Sequence, residues 1–350
     1  VKFVLKRLGE AAHPLILAGP SMGRSQRWEN VVRLSEVTGI PALPMESPRG
    51  LNDPWLHDAV NCLPEADLVL LVGKKLDFTL KFGQEPFFRE TCRFIQIDAD
   101  EQVSGADSRV EHRYCADPSH AVKRLADSAQ TKAWVFSEWI ETVAAARQRV
   151  PAVWNALRRQ GGRVHPLAVC AALQPWLDEG GILISDGGEF GQWVQAGLEA
   201  DIRLINGPSG AIGNALPMGI AAKRAHPDRP VFVLTGDGAF GFHALELDTA
   251  LRYHLPVVVI IGNDATWNAE HQLQIHQYGP DRTIGCDLLP TRYDALAVAL
   301  GGHGEQVHHS DDLPAAIQRS IDSGLPACIN VTIEGAAAPT FFKSRPMIIE

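Results

Sequence analysis

Residues Val231–Phe242 read VFVLTGDGAFGF. The apolar run Val231–Leu234 is cut short by Thr235-Gly236-Asp237-Gly238. Short apolar runs closed by Gly or Asp read as strands buried on both faces of a parallel sheet. An acid between two glycines at such a strand end has two readings. It is an ordinary strand-to-helix turn, or it is a ligand set where the backbone can approach a bound group with no Cβ in the way.

Asn263 follows Asp237 by 26 positions, at the end of a second such run, PVVVIIGND (Pro256–Asp264). The interval holds one helical stretch, HALELDTALRYH, and one strand, so a crossover sets the two strand ends side by side. An Asp carboxylate and an Asn carbonyl are hard oxygen ligands suited to Mg2+, which completes its shell with phosphate oxygens and water. Gly236 and Gly238 would let a diphosphate come close. A third run, GILISDGG (Gly181–Gly188), ends alike at Asp186, which reads as a further polar site residue or as a helix N-cap. Ligands of open α/β sheets collect at these carboxyl ends of strands.

The same alternation runs through the first half. PLILAG (Pro14–Gly19), DLVLLVG (Asp67–Gly73) and RFIQIDAD (Arg93–Asp100) are strand-like, with the helical stretch RWENVVRLSEVTG after the first. A last strand, ACINVTI (Ala327–Ile333), follows the helical DLPAAIQRSID. The expectation is α/β, with two doubly wound, mostly parallel sheets. The boundaries read as a first domain at 1–126, a helical linker at 127–163 interrupted by Pro151, and a second domain at 164–350. At 350 residues, 45% hydrophobic and 21% charged, the chain has the composition of a soluble two-domain protein. A net charge of -9 with no Lys/Arg block speaks against a nucleic-acid surface. No apolar run approaches membrane-span length, and a cytoplasmic location is expected. Cys62, Cys92, Cys115, Cys170, Cys286 and Cys328 show no CxxC spacing, so zinc and disulfides are not expected. The chain opens at Val1 within a helix-like pattern, as a piece of a longer protein would.

GDGAF with Asn263 downstream resembles the diphosphate-binding motif of thiamine-diphosphate enzymes. GAIGNALPMGIAAK (Gly210–Lys223) is similar to the GxMGFGLPAAIGA segment of their acetolactate synthase-like superfamily, and GILISDGGEFGQWV (Gly181–Val194) matches the strand and turn near the diphosphate. HPLILAGPSMG, PALPMESPRG and ADLVLLVGKKLDFTLKFG resemble the central domain of the same enzymes, so the likeness covers nearly the whole chain in order. The resemblance implies thiamine diphosphate and Mg2+ as cofactors. It implies a C–C lyase, ligase or decarboxylase acting on a 2-oxo acid, a 2-hydroxy ketone or an acyl-CoA, in a homodimer or homotetramer. FAD or ADP/CoA in the central domain is a further option, with Arg24 and Lys74-Lys75 as phosphate contacts or plain surface charge.

By resemblance, Asp237 and Asn263 bind the metal through side chains and Ala265 through its carbonyl. Gly236, Gly238, Ala239 and Thr266 line the diphosphate, Ile212 wedges beneath the cofactor rings, and the Gly210 carbonyl accepts from the aminopyrimidine. Trp267, Glu270, His271 and Gln274 follow the metal loop and read as pocket lining or as structural residues, with His271 an acid–base candidate.

The chain departs from the family in four ways. Gly262 replaces the first Asn of the NN pair, and Glu189-Phe190 stands where acetolactate synthases carry Gln-His. A carboxylate repels a diphosphate, so Glu189 is expected to turn away or to meet a substrate group. The stretch after the metal loop, Ala265–Gly285, is closer to benzaldehyde lyase and 2-hydroxyacyl-CoA lyase. The activating Glu of these enzymes lies in an N-terminal pyrimidine-binding domain whose pattern is not found here, and Glu46 is not its counterpart. A non-catalytic cofactor-binding or oligomerisation module is the reading from a different class.

Overall fold

The computed structural model describes residues 1–23, 26–100, 109–131, 133–159, 163–206 and 209–342. Each of the seven strand-like runs forms a strand, and four further strands join them. In chain order they are β1 (Pro14–Ala18), β2 (Ala42–Pro44), β3 (Leu68–Val72), β4 (Arg93–Asp98), β5 (Val110–Cys115), β6 (Ile182–Ser185), β7 (Ile202–Ile205), β8 (Val231–Gly236), β9 (Val258–Asn263), β10 (His303–Val307) and β11 (Ala327–Thr332). They make two sheets, ordered β2-β1-β3-β4-β5 and β10-β11-β9-β8-β6-β7. Every strand pair in both is parallel.

The chain divides into two compact units, Val1–Val150 with Thr340–Glu350, and Pro151–Pro339. The stretch 127–163 is shared between them. The helix Ser137–Gln148 buries Trp139, Val143 and Ala146 in the first unit, while Trp154 of the short helix Trp154–Leu157 lies tilted against Trp193 in the second, ring centroids 5.6 Å apart.

Period-two burial builds one core on each face of each sheet. In the first unit Leu15, Leu17, Val69, Leu71 and Phe94 face the 3-10 segment Pro54–Glu65 and the helix Ser137–Gln148. Ile16, Ala18, Leu68, Leu70 and Ile95 face the helices Lys2–Glu10, Gln26–Thr38 and Pro118–Ala129. In the second unit Leu183, Phe232, Leu234 and Ile260 pack on the helices Pro166–Asp178, Gly188–Gly197 and Leu313–Asp322. Ile184, Val233, Val259 and Ile261 pack on Ala215–Ala225 and Tyr293–Leu300. Strands covered on both faces need apolar residues at every position, which is why these runs were legible as strands.

In the first unit the strand order reverses between β1 and β3, the place where such sheets take nucleotides. There a Cβ on Gly19 would lie 1.9 Å from the Gly73 carbonyl oxygen, so the two loops touch. Lys74 is turned inward, its Nζ donating to Thr79 Oγ1 at 2.6 Å and to Asp77 Oδ1 at 3.2 Å. Lys75 is exposed and lies 3.8 Å from Asp100. Arg24 falls outside the described residues. All six cysteines are free. No helix among the described residues is long and apolar enough to cross a membrane.

Candidate functional site

In the second unit the order reverses between β6 and β8, because β6 leads outward to β7 and the chain then returns to lay β8 on the other side. Register places Ser185 beside Leu234 and Gly236 beside Gly262, so the ends of β6, β8 and β9 are neighbours. Four short segments converge there, following β6, preceding the helix Ala215–Ala225, and following β8 and β9.

Asp237 opens the segment after β8 and is 2% exposed. Its Oδ1 accepts the Gly238 N–H at 2.9 Å, and its Oδ2 is buried with no hydrogen-bond partner. Burial first, then the Asp264 carboxylate, push its pKa up to about 7, against the N–H groups of Gly238 and Ala265. Asp264 is pushed up to about 6, chiefly by burial, with Glu189 adding like charge. The strand ends thus hold carboxylates that lack a counter-charge. Glu189 accepts from Gln192 Nε2 within the first turn of its helix.

Asn263 makes an Asx turn, its Oδ1 accepting the Ala265 N–H at 3.1 Å. Its Nδ2 donates to the Thr291 carbonyl at 3.0 Å and to Asn330 Oδ1 at 3.1 Å. Ala265 adopts φ 55, unusual for a residue with a Cβ, and its carbonyl accepts Leu288 N–H at 2.8 Å with one lone pair left. Thr266 Oγ1 donates to the Asp264 carbonyl at 3.1 Å.

The glycines separate into open and covered positions. A Cβ on Gly236 would meet nothing within 4 Å, so the strand end is open to a ligand. One on Gly238 would lie 2.6 Å from the Trp267 ring, which covers that turn. One on Gly262 would lie 2.5 Å from the Phe190 ring. The two sequence departures at 190 and 262 are therefore one packing arrangement, since an Asn at 262 has no room beside Phe190. Ala239 is buried in the helical turn after Asp237.

Asp186 is a capping residue acting at long range. Its carboxylate accepts the N–H groups of Gly187 at 2.8 Å, Gly213 at 3.0 Å and Ala215 at 3.2 Å, which fixes the start of the helix Ala215–Ala225 on the end of β6. His243 Nδ1 donates to the Gly213 carbonyl at 2.8 Å, holding the same loop from the β8 side. Ile212, held between these bonds, is 38% exposed and leans over Gly187, where a Cβ would lie 2.9 Å from its Cγ2. Gly210 has φ 71, a conformation that its lack of a Cβ permits.

Trp267 packs edge-on to Phe242, ring centroids 6.0 Å apart. His271 sits half-buried one turn into the helix Asn268–Tyr278, its N–H bonded to the Trp267 carbonyl. Gln274 ties that helix to Ile284, and Glu270 is exposed. Linear order carries no sign of His243, of Asn330, or of the pairing of Phe190 with Gly262, all of which depend on long-range contacts.

Among the described residues no three His, Cys, Asp or Glu side chains converge on a metal position. A cation here would draw on one carboxylate, one amide oxygen and one carbonyl, with oxygens of a bound ligand and water to complete its shell. The residues fit that requirement: Asp237 Oδ2 has no partner, Asn263 Oδ1 faces the loop, and Gly236 leaves space for an anion.

Residues 186–331 match the family model described as thiamine pyrophosphate enzyme, C-terminal TPP binding domain, and residues 1–125 match thiamine pyrophosphate enzyme, central domain. The chain is 33% identical over 342 residues to a probable acetolactate synthase of Mycobacterium bovis, covering 95% of this chain and 61% of that protein. It is 28% identical over 366 residues to a 2-hydroxyacyl-CoA lyase of Oryza sativa, covering 93% and 60%. In fold it is similar to a thiamine diphosphate-dependent 4-hydroxybenzoylformate decarboxylase of Rhodococcus jostii RHA1, with TM-score 0.75 and 20% identity, over 95% of this chain and 63% of that one. The chain spans about three fifths of the length of these curated relatives.

Proposed function

The chain belongs to the thiamine pyrophosphate enzymes, in the group that holds acetolactate synthases and 2-hydroxyacyl-CoA lyases, and from that premise we propose that its second unit holds thiamine diphosphate through Mg2+ for making or breaking a C–C bond beside a carbonyl. The observation that carries this reading is Asp237, a buried carboxylate whose Oδ2 has no partner at an open strand end. A divalent cation supplies the charge that burial withholds.

On this reading Asp237, Asn263 Oδ1 and the Ala265 carbonyl hold the cation. Gly236, Gly238, Ala239 and Thr266 lie along the diphosphate, Ile212 supports the rings, and the Gly210 carbonyl receives the aminopyrimidine. Thiamine diphosphate, when bound, supplies the carbon nucleophile and the electron sink for the substrate carbonyl. Trp267 and Phe242 offer an apolar wall that keeps water from the turn, and Glu189 and His271 are the titratable groups nearest to a substrate. Substrates are a 2-oxo acid, a 2-hydroxy ketone or an acyl-CoA, and the working form is a homo-oligomer.

Asp237→Ala is expected to abolish Mg2+-dependent binding of thiamine diphosphate in titration calorimetry. Binding at full affinity by that variant would sink the metal assignment. A second reading, 2-hydroxyacyl-CoA lyase rather than synthase, is favoured by the Phe190 ring lying on Gly262, where acetolactate synthases carry His and Asn. Turnover of a 2-hydroxyacyl-CoA against condensation of 2-oxo acids separates the two.

A further inference from the structure

The Thr291 carbonyl can only accept hydrogen bonds. It receives Asn263 Nδ2 at 3.0 Å and Asn330 Nδ2 at 3.0 Å, so both amides must turn their NH2 groups towards it. The second hydrogen of Asn330 goes to Gln306 Oε1 at 2.8 Å, which leaves Asn330 Oδ1 to accept Asn263 Nδ2 at 3.1 Å. Both amide hydrogens of Asn263 are then engaged on one side. Its Oδ1 must face the other, where the Ala265 N–H meets it at 3.1 Å. Asn330 and Asn263 are 2% and 6% exposed.

We infer that Asn330, on the neighbouring strand β11, is a positioning residue that fixes which face of the Asn263 amide is presented to the cation. The inference rests on the metal reading above. The orientation follows from two backbone groups of fixed polarity, the Thr291 carbonyl and the Ala265 N–H, and Asn330 completes it by occupying the second hydrogen of Asn263. Without Asn330 that hydrogen has no acceptor, and only the Thr291 carbonyl and the Ala265 N–H hold the Asn263 oxygen towards the cation.

A cavity of ≈ 260 Å³ adjoins this network, lined by Asn263, Asn330, Gln306, Thr332, Arg163 and Arg292 among others. It gives small solutes a route to the position that the Asn330 amide occupies. Formamide carries the donor and the acceptor that Asn330→Ala removes, whereas formate has no N–H for the Thr291 carbonyl.

The test is calorimetric titration of thiamine diphosphate at fixed Mg2+ into the full-length protein, comparing wild type, Asn330→Ala and Asp237→Ala. Asn330→Ala is expected to bind about tenfold more weakly, the scale of one lost hydrogen bond. Formamide should restore most of that loss and formate should not, with wild type indifferent to both. Wild-type affinity in Asn330→Ala, beside lost binding in Asp237→Ala, overturns the positioning role and leaves the metal site standing. Unchanged binding in Asp237→Ala overturns the metal reading itself. A loss in Asn330→Ala that formamide leaves in place, or that formate repairs equally, assigns the effect to packing and also overturns the proposal. Should Asn330→Ala fail to fold, Gln306→Leu removes the acceptor that orients Asn330 and is expected to weaken binding about threefold; no change there counts against the role.

Discussion

Asp237 keeps a carboxylate where the protein solvates it poorly, and this makes the metal-free protein sensitive to pH. Its pKa in the folded protein is raised to about 7, so the folded state holds the proton through a range where the unfolded chain releases it. The stabilisation from this group is fully present below the unfolded pKa of about 4 and is lost as pH rises through about 7. Asp237→Asn removes that dependence. In metal-free protein the two should melt together only at and below about pH 4. The Asn variant should gain above pH 7, by up to about 4 kcal/mol, which thermal melts across that range measure. Parallel pH profiles would refute it. Gly236, Asp237 and Asn263 were legible as candidates because a polar break in an apolar run is visible in linear order. Asp186 was legible as a polar site residue or an N-cap, but not the loop it holds, because its N–H partner at Gly213 lies 27 positions away; Asn330 was not legible, 67 positions from Asn263. No local pattern records such bonds.

At the scale of elements, the strands that escaped the sequence reading are β2, β5, β7 and β10, the four edges of the two sheets. An edge strand pairs on one side only and needs no unbroken apolar run. β10 reads His-Gly-Glu-Gln-Val with a single fully buried residue, and β2 is three residues long. Interior strands carry the apolar signal and edges do not, so a sequence shows the middle of such a sheet before its width. The contact between β9 and the helix Gly188–Gly197 makes a second prediction. Gly262→Asn alone forces a side chain into the Phe190 ring and should cost about 1–3 kcal/mol. Phe190→His, a smaller ring, should make the Asn tolerable, so the double variant should be more stable than the sum of the singles by at least about 1 kcal/mol. Strict additivity in a denaturant-melt cycle would show that the two departures are unrelated.

At the scale of the whole molecule, the first unit is assembled from two separated stretches of chain. After Pro339 the chain rejoins it: Phe342 stacks on Phe87 with centroids 4.2 Å apart, and the Phe341 carbonyl accepts Asn61 Nδ2 at 3.0 Å. Phe342→Ala should destabilise this unit by roughly 1 kcal/mol, the worth of an aromatic pair. Hydrogen exchange should quicken around Phe87 while the strands of the second unit stay protected; equal loss in both units would contradict this. The same feature bears on how the protein is made. A ribosome delivers Phe87 and its surroundings well before the residues that cover them, and the whole of 151–339 is translated in between. At roughly 5–20 residues per second the nascent first unit waits about 10–40 s with that apolar patch bare. During this interval chaperones have something to hold, and a stalled or truncated product would aggregate through this surface first.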